Sequence, residues 1–519
     1  MTSYCTTSKA LLLLLSAAAL GNTQDIDSLV ERARKEFDVP GIAVAIVKDG
    51  KVVLEKGYGV RRIGQPAPIT ANSLFRIASN TKAFTSAALS ILVDEGKLHW
   101  NDHVVDLMPG FQMYDSYITR EMTVTDLLVH RSGLGLGEGD LMFFPPTNLT
   151  REQILQRLRF LKPAASFRAA YAYDNLLYLV AGQLIPAVTG TSWDDFVRQR
   201  IFTPVGMTHS GVSTGVLLNT TDVAIPHAKV NGKLEPLEHE NVDNNAPAGS
   251  IVSSVSDLAK WMTVQLDRGR IPGGGRLFSE AQSRTMWTGQ TILPIHDSVE
   301  GLRPNFYEYG LGWFLRDYRG KRIVYHTGVL AGYVSRVLMV PDLNLGIVVL
   351  TNGEEEGAHS AIAWSTVDHY LGAPATDWIA RFLELSKKEA AEAAADVAKS
   401  GGKRNAASRP SLPLASYAGR YQDPWYGDVL IAERAGKLTI TFTHSKQLTG
   451  DLDHWQYDTF VARWRDRALG ADAFVTFSLE PDGSIGEVRM RPVSPATDFS
   501  FDFQDLLLRP VAKDAPPRL

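Results

Sequence analysis

The sequence predicts an α+β fold: an antiparallel sheet flanked by helices, with a helical subdomain inserted into it and a small all-β, barrel-like domain at the C-terminal end. Three observations carry this. A β-hairpin pattern near the start is matched by three strand-like runs near residue 340, and a long, mostly helical stretch lies between them. Beyond about residue 386 the composition turns to Lys, Glu and Ala and then to Gly, Ser and Pro. Short alternating apolar runs then resume up to about residue 510.

Taken in order, Ile26 to Phe37 has the apolar spacing of a short amphipathic helix, and Gly41 to Lys48 is a run of β-branched and apolar residues. Asp49-Gly50 marks a tight turn before Lys51 to Lys56 resumes the strand pattern. Lys321 to Tyr325, Val334 to Val340 and Leu345 to Leu350 are the later strands, and the apolar pattern from Ala361 to Tyr370 supplies a closing helix. Residues 376–411 read as a linker, charged and helical at first, then too poor in apolar residues to bury anything. The organisation expected is therefore 1–23 as a signal peptide, 24–375 as the main domain, 376–411 as linker and 412–511 as the β-rich domain. Runs such as Asp428 to Ala432 and Lys437 to Phe442 provide the strands of the last.

At 519 residues and 45% hydrophobic, the chain is too long for one core. Its formal net charge of -4, without a basic run or an aromatic-interleaved basic stripe, argues against nucleic acid as a partner and for a small molecule or short peptide. Lys9, the apolar run Ala10 to Leu20 and the small residues after it have the order of a secretory signal. A secreted or periplasmic protein is expected, with no stable membrane span after cleavage. The single cysteine, Cys5, falls within that signal, so the mature chain would have no disulfide, thiol nucleophile or cysteine zinc site. Asn148 and Asn219 open Asn-x-Thr triplets, which matter only in a eukaryotic host.

The segment from Phe75 to Gly96 reads as a helix that begins near Ser79 and ends at Gly96, so the spacing of three puts Ser79 and Lys82 on one face. A serine hydroxyl needs a base, and a lysine at the positive end of a helix, shielded from water, can reach neutrality near pH 7. Ser-x-x-Lys alone is weak, since on the order of one or two matches are expected by chance in a chain of this length. Ser400-Gly-Gly-Lys403, in the linker, is such a match. Two further elements stand in chain order behind Ser79: Tyr173-Asp174-Asn175, whose Tyr-x-Asn pattern occurs nowhere else, and His326-Thr327-Gly328 at the end of the Lys321 to Tyr325 strand.

Together these elements resemble the motifs of the penicillin-recognising serine hydrolases, which include class C β-lactamases, D-alanyl-D-alanine carboxypeptidases, D-aminopeptidases and related esterases. The similarity extends over roughly Ile26 to Leu371, with Thr125 to Leu134 and Pro247 to Ala259 resembling recurrent family blocks. It implies that Ser79 attacks a carbonyl while Lys82 and Tyr173 share the removal and return of the proton. It further implies that Asn175 binds the acyl side chain or steadies Lys82, and that the Ser79 and Val329 N–H groups form the oxyanion hole. By the same resemblance His326 orients the substrate or tunes Tyr173, and Thr327 and Gly328 belong to the substrate-binding strand. His130 and Ser132 are read as turn and packing residues. No cofactor and no metal site are expected: His-Glu-x-x-His is absent and histidines do not cluster at ligand spacing.

Histidine rather than lysine in the third motif turns the expectation away from efficient β-lactam hydrolysis and towards cleavage of an amide or peptide bond. A carboxylesterase or a weakly hydrolysing β-lactam-binding protein is the alternative. Gly211-Val-Ser213-Thr-Gly215 has the letters of an α/β-hydrolase elbow but lacks the strand before and the helix after. His209-Ser-Gly211, a second match to the third motif, follows a loop-like stretch. Finally, residues Leu414 to Pro510 are expected to contribute no catalytic group.

Overall fold

A computed structural model of the chain describes residues 26–295 and 299–512. The expected signal peptide lies outside the described residues. A helix over 26–36 leads into the hairpin Gly41–Lys48 and Lys51–Gly59, joined at Asp49-Gly50, where both residues have positive φ. These strands sit at one side of an eight-stranded sheet. Beyond Gly41–Lys48 its order continues through Leu345–Thr351, Tyr333–Val340, Lys321–Leu330, Phe314–Tyr318, Tyr307–Tyr309 and Thr291–Ile292, and each neighbouring pair is antiparallel.

Alternate side chains of the strands point to opposite faces of the sheet, and both faces are covered by helices, so their sequences are apolar throughout. Val44, Ile46, Ile347 and Val349 pack with Val30 and Ala33 of the first helix and with Ile362 and Trp364 of the helix Glu356–Leu371. Ala43, Ala45, Val348 and Leu350 face the other way, onto Leu258 and Met262 of the helix Val255–Leu266. The helical subdomain is inserted between Lys51–Gly59 and Thr291–Ile292, and its central element is the nearly fully buried helix Thr81–Asp94.

The second unit is also an eight-stranded antiparallel sheet, running from Ile485–Pro492 through six intermediate strands to Arg509–Pro510. Backbone bonds in both directions between Val488 and Leu508 bring its ends together, so the sheet is nearly a closed barrel. Its interior and the helical subdomain belong to one contiguous apolar cluster.

Two local expectations differ from the structure. The Lys321 strand does not stop at Tyr325 but runs to Leu330, so His326-Thr327-Gly328-Val329 is strand rather than strand end. Its pairing with Phe314–Tyr318 ceases at Tyr325, while pairing with Tyr333–Val340 continues to Leu330. The other difference is in the second part of the segment read as linker: its first part is helical, a 25-residue helix Trp378–Gly402 anchored by buried Trp378, Ile379 and Phe382 and capped by Asp377, whose carboxylate accepts the Ala380 N–H at 3.1 Å. The polar stretch after it lies against the barrel through hydrogen bonds instead of apolar burial. Arg404 Nε donates to the Trp455 carbonyl at 2.7 Å, Asn405 N–H to Gln456 Oε1 at 2.8 Å and Ser411 N–H to Asp458 Oδ1 at 2.9 Å.

Candidate active site

Ser79 lies in a single 3-10 turn, Ala78–Asn80, that runs directly into the helix Thr81–Asp94. Ala78 has φ 46°, a left-handed conformation that a residue with a Cβ adopts at a cost of about 1–2 kcal/mol. The turn is held from both sides. Asn80 Nδ2 donates to Ser335 Oγ at 2.8 Å, and the Ile251 N–H donates to Thr81 Oγ1 at 3.1 Å. The half-buried Ser79 hydroxyl is therefore presented on a fixed turn.

Lys82, one turn further, is fully buried and ends 3.0 Å from Ser79 Oγ. Its ammonium nitrogen also donates to Asn175 Oδ1 at 2.7 Å and to the Ala248 carbonyl at 3.2 Å, and it stands 4.7 Å from the centre of the Tyr173 ring. Burial pulls its pKa down to about 7, against the carboxylates of Asp140 and Asp174, which raise it. A neutral amine is thus available at physiological pH beside the hydroxyl.

Tyr173 and Asn175 come from the loop before the helix Leu176–Thr189, whose first turn is capped by Asp174 Oδ1 accepting the Leu177 N–H at 3.0 Å. Burial pushes the Tyr173 pKa well above the ordinary phenol value, with the neighbouring Ser79 acting in the opposite direction. His130, in a left-handed turn at φ 55°, lies beneath this loop with its ring 4.3 Å from that of Tyr173. Its Nδ1 accepts the Asp174 N–H at 3.2 Å, and Ser132 Oγ accepts the Leu134 N–H at 3.2 Å. Both residues shape the loop and neither bonds to Ser79.

His326 occupies the strand opposite. Nδ1 lies 2.5 Å from the Thr327 carbonyl, which can only accept, so Nδ1 carries the proton and Nε2 accepts from the Tyr309 hydroxyl at 2.9 Å. Burial depresses its pKa well below the usual value, and the neighbouring Lys82 acts in the same direction. The imidazole is neutral and already bonded at both nitrogens, with its ring 6.4 Å from that of Tyr173. Thr327 is half-buried, Gly328 is buried and Val329 is 42% exposed. A Cβ at Gly328 would stand 2.2 Å from the Ile77 carbonyl and 2.9 Å from the Ser79 nitrogen, so glycine is required for the strand to pass this close to the Ser79 turn.

The rival motifs lie elsewhere. Ser400 and Lys403 are at the C-terminal end of the Trp378–Gly402 helix. Ser213 precedes a four-residue helix, Gly215–Leu218, with only an isolated bridge at Gly211 before it. His209 sits on the loop after Met207, its N–H bonded to Asp257 Oδ2 at 2.6 Å. Among the described residues no group of three or more His, Cys, Asp or Glu side chains is arranged to hold a metal ion.

Several residues around the site were given no role by the sequence. Ala248 supplies a carbonyl to Lys82 from within the Pro247 to Ala259 block, and Tyr309 orients His326. Asp140 accepts the Asn175 Nδ2–H at 2.8 Å on the side away from Lys82. The C-terminal domain also enters: the Phe499 ring stands edge-on to Tyr173 at 6.0 Å, and Ser500 Oγ donates to Asp140 at 2.8 Å.

Comparison with known proteins agrees with this geometry. The family model described as Beta-lactamase matches residues 26–371, and one described as a domain of unknown function, DUF3471, matches residues 403–510. The unguisins hydrolase ungD' of Aspergillus campestris is 30% identical over 438 residues, 79% of this chain and 77% of that protein. Penicillin-binding protein 4 of Amycolatopsis lactamdurans is 29% identical over 329 residues, 62% of this chain and 82% of its own. In fold, the octameric penicillin-binding protein homologue from Pyrococcus abyssi superposes with a TM-score of 0.61 at 22% identity, covering 94% of this chain and 99% of that one. The chain belongs to the beta-lactamase family of penicillin-recognising serine hydrolases and is itself a serine hydrolase.

Proposed function

We propose that the protein forms an acyl-enzyme on Ser79 and cleaves an amide or peptide bond in short peptide substrates, in the manner of a D-aminopeptidase or carboxypeptidase. The observation that carries this is the 3.0 Å contact between Ser79 Oγ and a buried lysine whose pKa lies at about 7. Neutral Lys82 takes the Ser79 proton as Oγ attacks the carbonyl carbon. The oxyanion that forms is received by the N–H groups of Ser79 and Val329, and the closeness of Gly328 to Ser79 supports that pairing. The proton then passes to the leaving nitrogen. Tyr173 stays a protonated phenol at every working pH and so acts as the donor in this relay, with Lys82 as the base. Asn175 steadies Lys82 from one side while Ala248 holds it from another. His326, neutral and bonded to Tyr309 and Thr327, is a positioning residue for its strand. Thr327, Gly328 and Val329 line the acyl group.

A peptide-like substrate agrees with a relative named as a hydrolase of unguisins and with histidine, not lysine, at position 326. Export to a periplasmic or extracellular compartment follows from the leader-like first 23 residues, and no helix among the described residues is long and apolar enough to cross a membrane.

The test is labelling by a serine-directed phosphonate, followed by kinetics on D-amino-acid amides and peptides, p-nitrophenyl esters and a chromogenic cephalosporin. Ser79→Ala should lose both labelling and turnover, and Ser213→Ala should keep both. Labelling retained in Ser79→Ala refutes the assignment. A preference for the esters or the cephalosporin over every peptide and amide refutes the substrate class.

A further inference from the structure

Three hydrogen bonds from one strand-free segment of the C-terminal barrel domain converge on the turn that holds Asp140. The carboxylate of Asp502, fully buried, accepts the Gly139 N–H at 2.6 Å on one oxygen and the Leu141 N–H at 3.0 Å on the other. Between them Ser500 Oγ donates to Asp140 Oδ2 at 2.8 Å, and that same oxygen accepts Asn175 Nδ2–H at 2.8 Å. Asn175 has a single side-chain carbonyl, and with its amide nitrogen committed to Asp140 the carbonyl must point at Lys82 Nζ, 2.7 Å away. The chain of contacts is unbroken from the barrel to the base: Ser500, Asp140, Asn175, Lys82, Ser79. Packing accompanies it. Phe501 meets Phe144 edge-on at 5.3 Å, and a Cβ at Gly137 would stand 2.8 Å from the Phe499 carbonyl, so the two domains touch at backbone distance beside Tyr173.

We propose that Ser500 of the C-terminal domain is a positioning residue of the hydrolase reaction, setting the place of Lys82 through Asp140 and Asn175. This rests on the reading of Lys82 as the base for Ser79. It also revises the expectation that residues Leu414 to Pro510 are remote from the chemistry: they hold no group that touches substrate, yet they complete the support of one that does.

Charge is not the route from Ser500 to Lys82. Burial raises the Asp140 pKa to about 8, while the hydrogen bonds from Ser500 and Asn175 and the charge of Lys82 lower it. Lys82 faces Asp140 and Asp174 and the imidazoles of His130 and His326, and Asp140 faces Lys82, Asp498 and Asp502. Asp140 is therefore mostly neutral where Lys82 titrates, at about 7, and removing the Ser500 bond leaves it neutral to higher pH still. Ser500 acts on Lys82 through the placement of Asp140 and Asn175.

The experiment is the pH dependence of the second-order rate of phosphonate labelling at Ser79, on the full chain. For Ser500→Ala the plateau rate should fall about tenfold, because Asn175 and Lys82 lose their fixed placement. The acid-side midpoint, set by Lys82, should stay in place, since Asp140 is already mostly neutral there. Ser500→Thr, which keeps the hydroxyl, should restore the plateau. Asp140→Ala, which removes the acceptor shared by Ser500 and Asn175, should lower the plateau at least as far, and it stands in for Ser500→Ala if that variant does not fold. Asp472→Ala breaks ion pairs to Arg463 and Arg467, residues that bond to neither Ser500 nor Asp140, and serves as the control for general loosening. A Ser500→Ala or Asp140→Ala plateau equal to that of the parent overturns the proposal, as does a Thr variant no better than Ala. Absence of Ser79 labelling in the parent would instead overturn the reading of the site on which the proposal rests.

Discussion

At the scale of single residues, the proposed mechanism separates two proton roles that the motif alone leaves merged. Lys82 titrates at about 7 and Tyr173 far above, so only the lysine changes charge in the working range. The depressed pKa means Lys82 is charged, and inactive as a base, below about 7 and neutral above it. The kcat/KM of an amide substrate should therefore rise with unit slope on the acid side and level off near pH 7. Lys82→Arg, which stays charged, should lose that activity at every pH. Tyr173→Phe discriminates further. If the phenol returns the proton to the leaving nitrogen, its removal costs about 10²–10⁴-fold on an amide but under about tenfold on a p-nitrophenyl ester, whose leaving group departs without a proton. Equal losses on both substrates would place Tyr173 in the deprotonation of Ser79 as well. These residues were legible in the sequence because their relation is local or motif-bound: Ser79 and Lys82 share a helix face, and Tyr173-Asp-Asn175 is a single loop. Asp140 was not. It lies 35 positions before Asn175 and 360 before Ser500, and no periodicity or spacing marks an aspartate whose partners are brought to it by tertiary folding alone.

At the scale of elements, the strands Gly41–Lys48, Tyr333–Val340 and Leu345–Thr351 and the helix Thr81–Asp94 are legible as largely apolar runs bounded by turn residues, because they are buried on every side. What periodicity could not supply is how far the His326 strand continues. His326, Thr327, Gly328 and Val329 offer no alternating apolar pattern, and they remain strand because Tyr333–Val340 pairs with them in register as far as Leu330. The Trp378–Gly402 helix is the converse case. Its Ala, Glu and Lys composition favours helix intrinsically, and three buried residues at one end suffice to anchor it. Gly328 is where an element meets the site. Gly328→Ala would drive a Cβ into the Ile77 carbonyl and the Ser79 nitrogen, backbone atoms that cannot swing aside. The expected result is a destabilisation of about 1–3 kcal/mol in thermal unfolding together with loss of Ser79 labelling in the folded fraction. A folded Ala variant labelled at the parent rate would show that the strand stands further from Ser79 than these contacts require.

At the scale of the whole molecule, the two units joined by the Trp378–Gly402 helix do not behave as beads on a tether. Arg157 of the helical subdomain is buried, and its guanidinium donates to the main-chain carbonyls of Trp425 and Tyr426 in the barrel at 2.8 and 2.5 Å. Burial lowers the pKa of that arginine, but the guanidinium remains charged, so withdrawing it from the carbonyls leaves a buried cation and two acceptors unpaired. Asn148 Oδ1 and His444 Nδ1 are bonded at 2.7 Å, and the Asn148 N–H donates to the His444 carbonyl at 3.0 Å. Burial and Arg157 depress the His444 pKa to about 4, so this contact is unchanged across neutral pH. Because the apolar cluster is also continuous from one unit into the other, the hydrolase domain and the barrel should unfold in one calorimetric transition instead of two. Arg157→Ala should lower its midpoint by an amount corresponding to about 1–3 kcal/mol. A chain ending at Gly402 exposes the surface around Arg157 and strips Asp502 and Ser500 from the Asp140 turn, so it should be less stable than the parent and slow in Ser79 labelling even where it folds. Two well-resolved transitions in the parent, or a truncated chain that labels Ser79 at the parent rate, would show that the barrel is an appendage and not part of the machine that holds Lys82.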